Sequence, residues 1–242
     1  PNDFGSRGER PSHPELLGRL ASAFRDSGYS VKAMHRLIMK TETWQRSSVL
    51  SEESAAKDAD NRFLSRFARR RLTAEEIRDS LLAAGGDLDF TPGEAHPFPN
   101  ETTWGFTQHN PFSAVYKTTK RSAFLMVQRQ RRDPYLALFD GADPNASTPS
   151  RQLTTVPTQA LYFMNSPFFH EQAGGLSKRV MKPDSDRERV TQAFQLLYQR
   201  RPTATEIEQA EAFIEQYPGS SEEKWAGYAR VLLAANEFLF VD

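Results

Sequence analysis

The alternation of apolar and polar positions is helical along most of the chain. Leu16, Leu17, Leu20 and Phe24 recur at steps of three and four. Ser12-His13-Pro14-Glu15, with capping-box spacing and a proline in the first turn, precedes them, and Gly28 closes the segment. Ser30 stands as the cap of a second helix with Val31, Met34, Leu37 and Ile38 on one side, so the two predict a helical hairpin about Gly28-Tyr29. The polar stretch 47–59 reads as a surface connection, with helix resuming near Asp60. Over 61–72 that helix would place Phe63, Leu64 and Phe67 on one face and Arg62, Arg66, Arg69 and Arg70 on the others. Thr73-Ala74-Glu75-Glu76 is a second capping box, opening a helix with Ile77, Leu81 and Leu82 that stops at Gly85-Gly86.

From Asp87 to Lys120 the periodicity is lost and the chain is rich in proline, glycine, histidine and rings, among them Phe90, Phe98, Trp104, Phe106, Phe112 and Tyr116. Disordered segments are poor in aromatics, so an ordered loop is expected here. The stretch 122–128 is the one candidate for a strand, with a helix turn as the alternative, and Asp133-Pro134 starts a short helix through Phe139. Residues 140–157 are again irregular. Helix starts follow near Thr155, Ser166, Ser185, Thr203 and Ser220, the last running through Trp225, Tyr228, Val231 and Leu232. The expectation is an all-α fold, an irregular multi-helix array with long ordered loops and at most one or two short strands. It is read as a single domain over 1–242, with helices in 1–86, an aromatic and polar loop region in 87–155, and helices in 156–242.

Composition narrows the function classes. The 242 residues carry 31 basic and 31 acidic side chains, so no basic excess points to nucleic acid. There is no cysteine, which removes thiolate catalysis, disulfides and iron–sulfur ligation. No apolar run approaches the roughly 20 residues of a membrane span. The opening Pro1-Asn2-Asp3-Phe4-Gly5 reads as a piece of a longer polypeptide.

Several strings together carry a resemblance. They are Pro1-Asn2-Asp3-Phe4-Gly5 with His13-Pro14-Glu15-Leu16-Leu17, Lys32-Ala33-Met34-His35-Arg36-Leu37-Ile38-Met39, and Arg70-Arg71-Leu72 with Glu76-Ile77-Arg78-Asp79. Asp143-Pro144-Asn145, Thr154-Thr155-Val156-Pro157-Thr158-Gln159-Ala160-Leu161 with Asn165, and the closing 236–242 belong to the same pattern. The chain resembles the planctomycete-specific C-terminal domain of unknown function, of PSD-one type. The resemblance implies a domain of a large exported protein, periplasmic or in the cell envelope, whose upstream domains are its partners and include a c-type cytochrome segment bearing haem. It implies no cofactor in this stretch and carries over no catalytic residue. Gly18 departs from the family pattern, which has an aspartate after the two leucines.

Site candidates fall in the two irregular segments. Asp140, Asp143, Asn145, Arg151, Thr154, Thr155 and Gln159 gather on a loop and a helix N-terminus, a setting for a sugar, an anionic group or calcium. The alternative for the same residues is structural: a turn at Asp143-Pro144-Asn145, a helix cap at Thr154 or Thr155, and an arginine that ties the loop down. His96 and His109 sit beside Glu94, Glu101, Trp104 and Gln108, a combination of rings and polar groups that suits carbohydrate. None of the five histidines has metal-ligand spacing. The expected role is a binding or assembly module linked to polysaccharide or redox partners. The alternative is a glycan hydrolase with an acidic site in loops 94–109 and 140–159, Asp140, Asp143 and His109 being its catalytic candidates and Trp104 a ligand contact.

Overall fold

The computed structural model describes residues 8, 10–94, 100, 102, 105, 107, 109, 116–129, 131–147 and 151–241. The chain divides into two compact units, 1–70 with 240–242, and 71–239.

The first unit holds α1 (Pro14–Asp26), α2 (Val31–Met39) and α3 (Glu52–Lys57). Gly28 and Tyr29 both take left-handed backbone, which reverses the chain between α1 and α2, and Ser30 Oγ accepts from Ala33 N at 3.2 Å as the cap of α2. The capping box expected at Ser12 is not formed. The helix starts at Pro14 with His13 as a cap that makes no side-chain bond, and Ser12 Oγ lies 3.0 Å from His13 Nδ1. None of the residues in these three helices is buried: both hairpin helices are amphipathic, yet Leu17 is 56% exposed and Val31 58%.

Two expectations in this unit are corrected. A short helix, α3, forms inside the stretch read as a connection, with Ser51 Oγ accepting from Ser54 N at 3.1 Å. No helix forms over 61–67, where Asn61 and Leu64 adopt left-handed backbone. Local side chains outcompete the helix there. Asp58 Oδ2 accepts from Phe63 N at 3.1 Å, and Asn61 Oδ1 accepts from Arg66 N at 3.2 Å while its Nδ2 donates to Arg66 O at 3.0 Å.

The second unit is built from α4 (Ala74–Gly85), α5 (Pro134–Leu138), α6 (Pro157–Asn165), α7 (Pro167–Val180), α8 (Asp186–Tyr198), α9 (Ala204–Gln216), α10 (Ser221–Ala234) and α11 (Asn236–Leu239). The two-residue strands β1 (Arg70–Arg71) and β2 (Phe240–Val241) pair as a two-stranded sheet, so the fold is mainly helical as expected. The stretch 122–128 is not a strand: Ser122–Phe124 is a 3-10 turn. Reciprocal capping boxes form at Thr73 with Glu76, Thr203 with Glu206, and Ser220 with Glu223, where the sequence places them.

Helix α7 is the central element, packed on α4 along one face and α10 along another. Its buried Phe169, Ala173, Leu176 and Val180 belong to one core cluster with Ile77 and Leu81 of α4 and Trp225 and Leu233 of α10. Burying each such large apolar side chain is worth about 1.5–3 kcal/mol. Where α4 and α7 cross, glycines bring the backbones together: a Cβ at Gly175 would stand 2.5 Å from Gly85 O. Arg179 of α7 donates through Nη1 to Ala83 O and Ala84 O, both at 2.6 Å, and so satisfies carbonyls at the end of α4.

Candidate functional site

Two polar constellations stand in the second unit, and both are organised by arginines. The first surrounds Arg71, which is 7% exposed. Its Nη2 donates to Asp140 Oδ2 at 2.8 Å, and its Nη1 donates to Gln159 Oε1 at 2.9 Å and to Thr154 O. Asp140 also accepts from Thr154 N and Thr154 Oγ1, each at 2.8 Å. Gln159 completes the set by donating from Nε2 to Leu138 O at 2.9 Å. Burial works to raise the Asp140 pKa, but the bonds from Thr154 and Arg71 outweigh it and hold the carboxyl below its ordinary range.

Asp140, Thr154 and Gln159, expected as site residues, are thus brought together, but as a clamp on Arg71. The other candidates of that segment have other partners or are exposed. Asp143 is exposed and its Oδ1 accepts from Asn145 N at 2.8 Å, a local Asx turn, while Asn145 Nδ2 donates to Arg129 O at 2.8 Å. Arg151 pairs with Glu75, and Thr155 is exposed. Among the loop candidates His109 is exposed, and Trp104 lies outside the described residues, as do His96, Glu101 and Gln108.

The second constellation gathers residues that the sequence pattern does not single out as a site. Arg78 of α4, 8% exposed, donates from Nη1 to Lys120 O at 2.9 Å and Ser122 Oγ at 3.2 Å, and from Nη2 to Thr118 O. Asp79 beside it accepts from Ser122 N and Ser122 Oγ, each at 2.7 Å. Lys120 Nζ in turn donates to Asp89 Oδ2 at 3.1 Å, and Asp89 N donates to Thr119 O at 3.0 Å. Hydrogen bonds from Thr91 and then Lys120 hold the Asp89 carboxyl down at about 2. This lattice fixes 118–122 against α4 as a wall.

Between that wall and α4, α5 and α7 lies a cleft of about 740 Å³. Leu82, Tyr135, Tyr162 and Phe168 line its apolar part. Tyr135 and Tyr162 have ring centroids 5.3 Å apart, and Tyr135 Oη is anchored on Ala74 O at 2.7 Å. Burial pushes both phenols above their ordinary range, so both stay neutral donors. Asp87, Lys117 and Glu171 line the cleft and are exposed. Gln172 also lines it from α7, is 2% exposed, and makes no hydrogen bond through its side-chain amide. Its buried Oε1, left without a partner, costs about 1–3 kcal/mol, a penalty that a packed side chain seldom carries without a role.

The signal for these residues was present but weak. Gln172 interrupts the stripe Phe169, Ala173, Leu176 and Val180 at helical spacing, and Arg78 adjoins Ile77 in the apolar face of α4. Among the described residues no group of three or more histidines and carboxylates is placed to hold a metal ion, and no helix is long and apolar enough to cross a membrane.

The family model PSD1, described as a protein of unknown function (DUF1553), matches residues 1–214. The chain belongs to that family. No curated protein and no solved structure matches it.

Proposed function

We propose that the unit 71–239 is a binding module whose ligand seat is the cleft beside 116–120, and that its ligand is a glycan. The observation that carries this reading is the buried, unpartnered Gln172 amide in a cleft walled by Tyr135, Tyr162 and Phe168. Ligand seats are mostly apolar with a few fixed polar groups, which is the balance found here. Rings offer flat faces to the C–H side of a sugar, and exposed Asp87, Lys117 and Glu171 at the margin suit its hydroxyls.

Two acids of the hydrolase alternative are engaged elsewhere. Asp140 spends its oxygens on Arg71 and Thr154, and Asp143 is engaged in its own turn. Paired-carboxylate hydrolysis needs two acids facing one scissile bond, about 5–10 Å apart. The test is calorimetric titration of the chain with a panel of oligosaccharides, repeated with Phe168→Ala. Saturable binding weakened by the variant supports the seat; no heat from any glycan at millimolar concentration overturns it.

A further inference from the structure

The two ends of the Gln172 amide are not equivalent. Oε1 is sealed against α4, since a Cβ at Gly85 would come within 2.2 Å of it. No hydrogen bond holds Nε2, and with Oε1 sealed it is the end of the amide left for a ligand in the cleft to meet. The inner wall therefore presents a hydrogen-bond donor set among the rings of Tyr162 and Phe168 and the side chain of Leu82.

That pairing selects among sugars. A bare hydroxyl satisfies the donor and leaves the apolar surface uncovered. A carboxylate would enter a wall whose buried cation, Arg78, already spends its guanidinium on Thr118, Lys120 and Ser122, and would pass a margin where exposed Lys117 stands against two exposed carboxylates, Asp87 and Glu171. A free ammonium would set a donor against a donor. An acetamido group meets both demands, its carbonyl accepting from Nε2 and its methyl covering the rings. Resting on the glycan reading, we propose that the cleft takes N-acylated amino sugars and seats their acetamido group at Gln172.

The test compares three tetrasaccharides of one linkage, built from N-acetylglucosamine, glucosamine and glucose, by calorimetry and by saturation-transfer NMR on the intact chain. The acetylated oligomer is expected to bind at least tenfold more tightly than the other two, with the strongest transfer at its methyl group. Gln172→Met is expected to weaken it at least tenfold without lowering the melting temperature, because an apolar isostere removes an unsatisfied amide. Equal affinity for all three, or methyl protons that receive no transfer, overturns the acetamido assignment while the glycan reading stands. Absence of binding by all three overturns both. The transfer measurement on the unaltered chain decides the matter even if the variant folds poorly.

Discussion

Gly174 and Gly175 are neighbours in α7, and a methyl group should act on them in opposite directions. Alanine at either position gains about 1 kcal/mol of helix propensity over glycine. At 174 nothing lies within 4 Å of the added Cβ, so the gain stands in full. At 175 the Cβ would lie 2.5 Å from Gly85 O and 3.0 Å from Gly85 Cα. Those are backbone atoms and cannot swing aside, so α4 and α7 must separate and loosen Ile77, Leu81, Ala173 and Leu176 between them. Overpacking of this kind costs about 1–3 kcal/mol, which leaves Gly175→Ala neutral to about 2 kcal/mol less stable than the parent. The two variants should therefore differ by about 1–3 kcal/mol, at about 2–4 °C of melting temperature per kcal/mol for a chain of this size. Circular dichroism melts at 222 nm of the parent and both variants measure it. A Gly175→Ala protein that melts with or above Gly174→Ala would refute the close crossing on which the α4 and α7 walls of the cleft depend.

Three further outcomes follow from named contacts. Asp140→Asn leaves Arg71 buried without its counter-charge and should cost about 3 kcal/mol in urea unfolding, whereas Asp143→Asn, at an exposed turn, should be near neutral. Hydrogen bonds from Arg200 hold the Glu206 carboxyl at about 2 against an ordinary 4.5. A depressed carboxyl stabilises the fold above its unfolded pKa and loses that contribution as pH falls to the folded one. The melting temperature should thus decline between pH 4.5 and about 2, and Glu206→Gln should flatten the decline. Thr203→Ala removes the acceptor that caps α9 and should cost about 1 kcal/mol in the same melts.

What the sequence reveals is what is local. Ser166, Ser185, Thr203 and Ser220 each accept an amide three residues on, and the helices begin where those residues stand. The helix expected over 61–72 fails for a local cause as well, since the side chains of Asp58 and Asn61 take the amides of Phe63 and Arg66. The polar lattices are a different matter. Arg71 pairs with an aspartate 69 positions away, and Arg78 with carbonyls 40 and 42 positions away. Arg71 stands in a run of three arginines that reads as a solvated basic face, and only tertiary structure shows it buried. The residues near Asp140 are legible as a polar gathering, yet whether such a gathering binds a ligand or a buried arginine is decided by an element too distant for pattern to reveal. Gln172 is visible as a polar break in an apolar stripe, but its lack of a partner is a property of the packed state.

The cleft holding Gln172 is, on this reading, the ligand seat. Selective nitrogen-15 labelling of glutamine side chains, followed by titration with the acetylated tetrasaccharide, decides it. The Gln172 Nε2 resonances should shift saturably with ligand, while those of Gln199, whose Nε2 is bonded to Leu196 O at 3.2 Å, should stay in place. Saturable binding that leaves Gln172 unmoved would contradict the account.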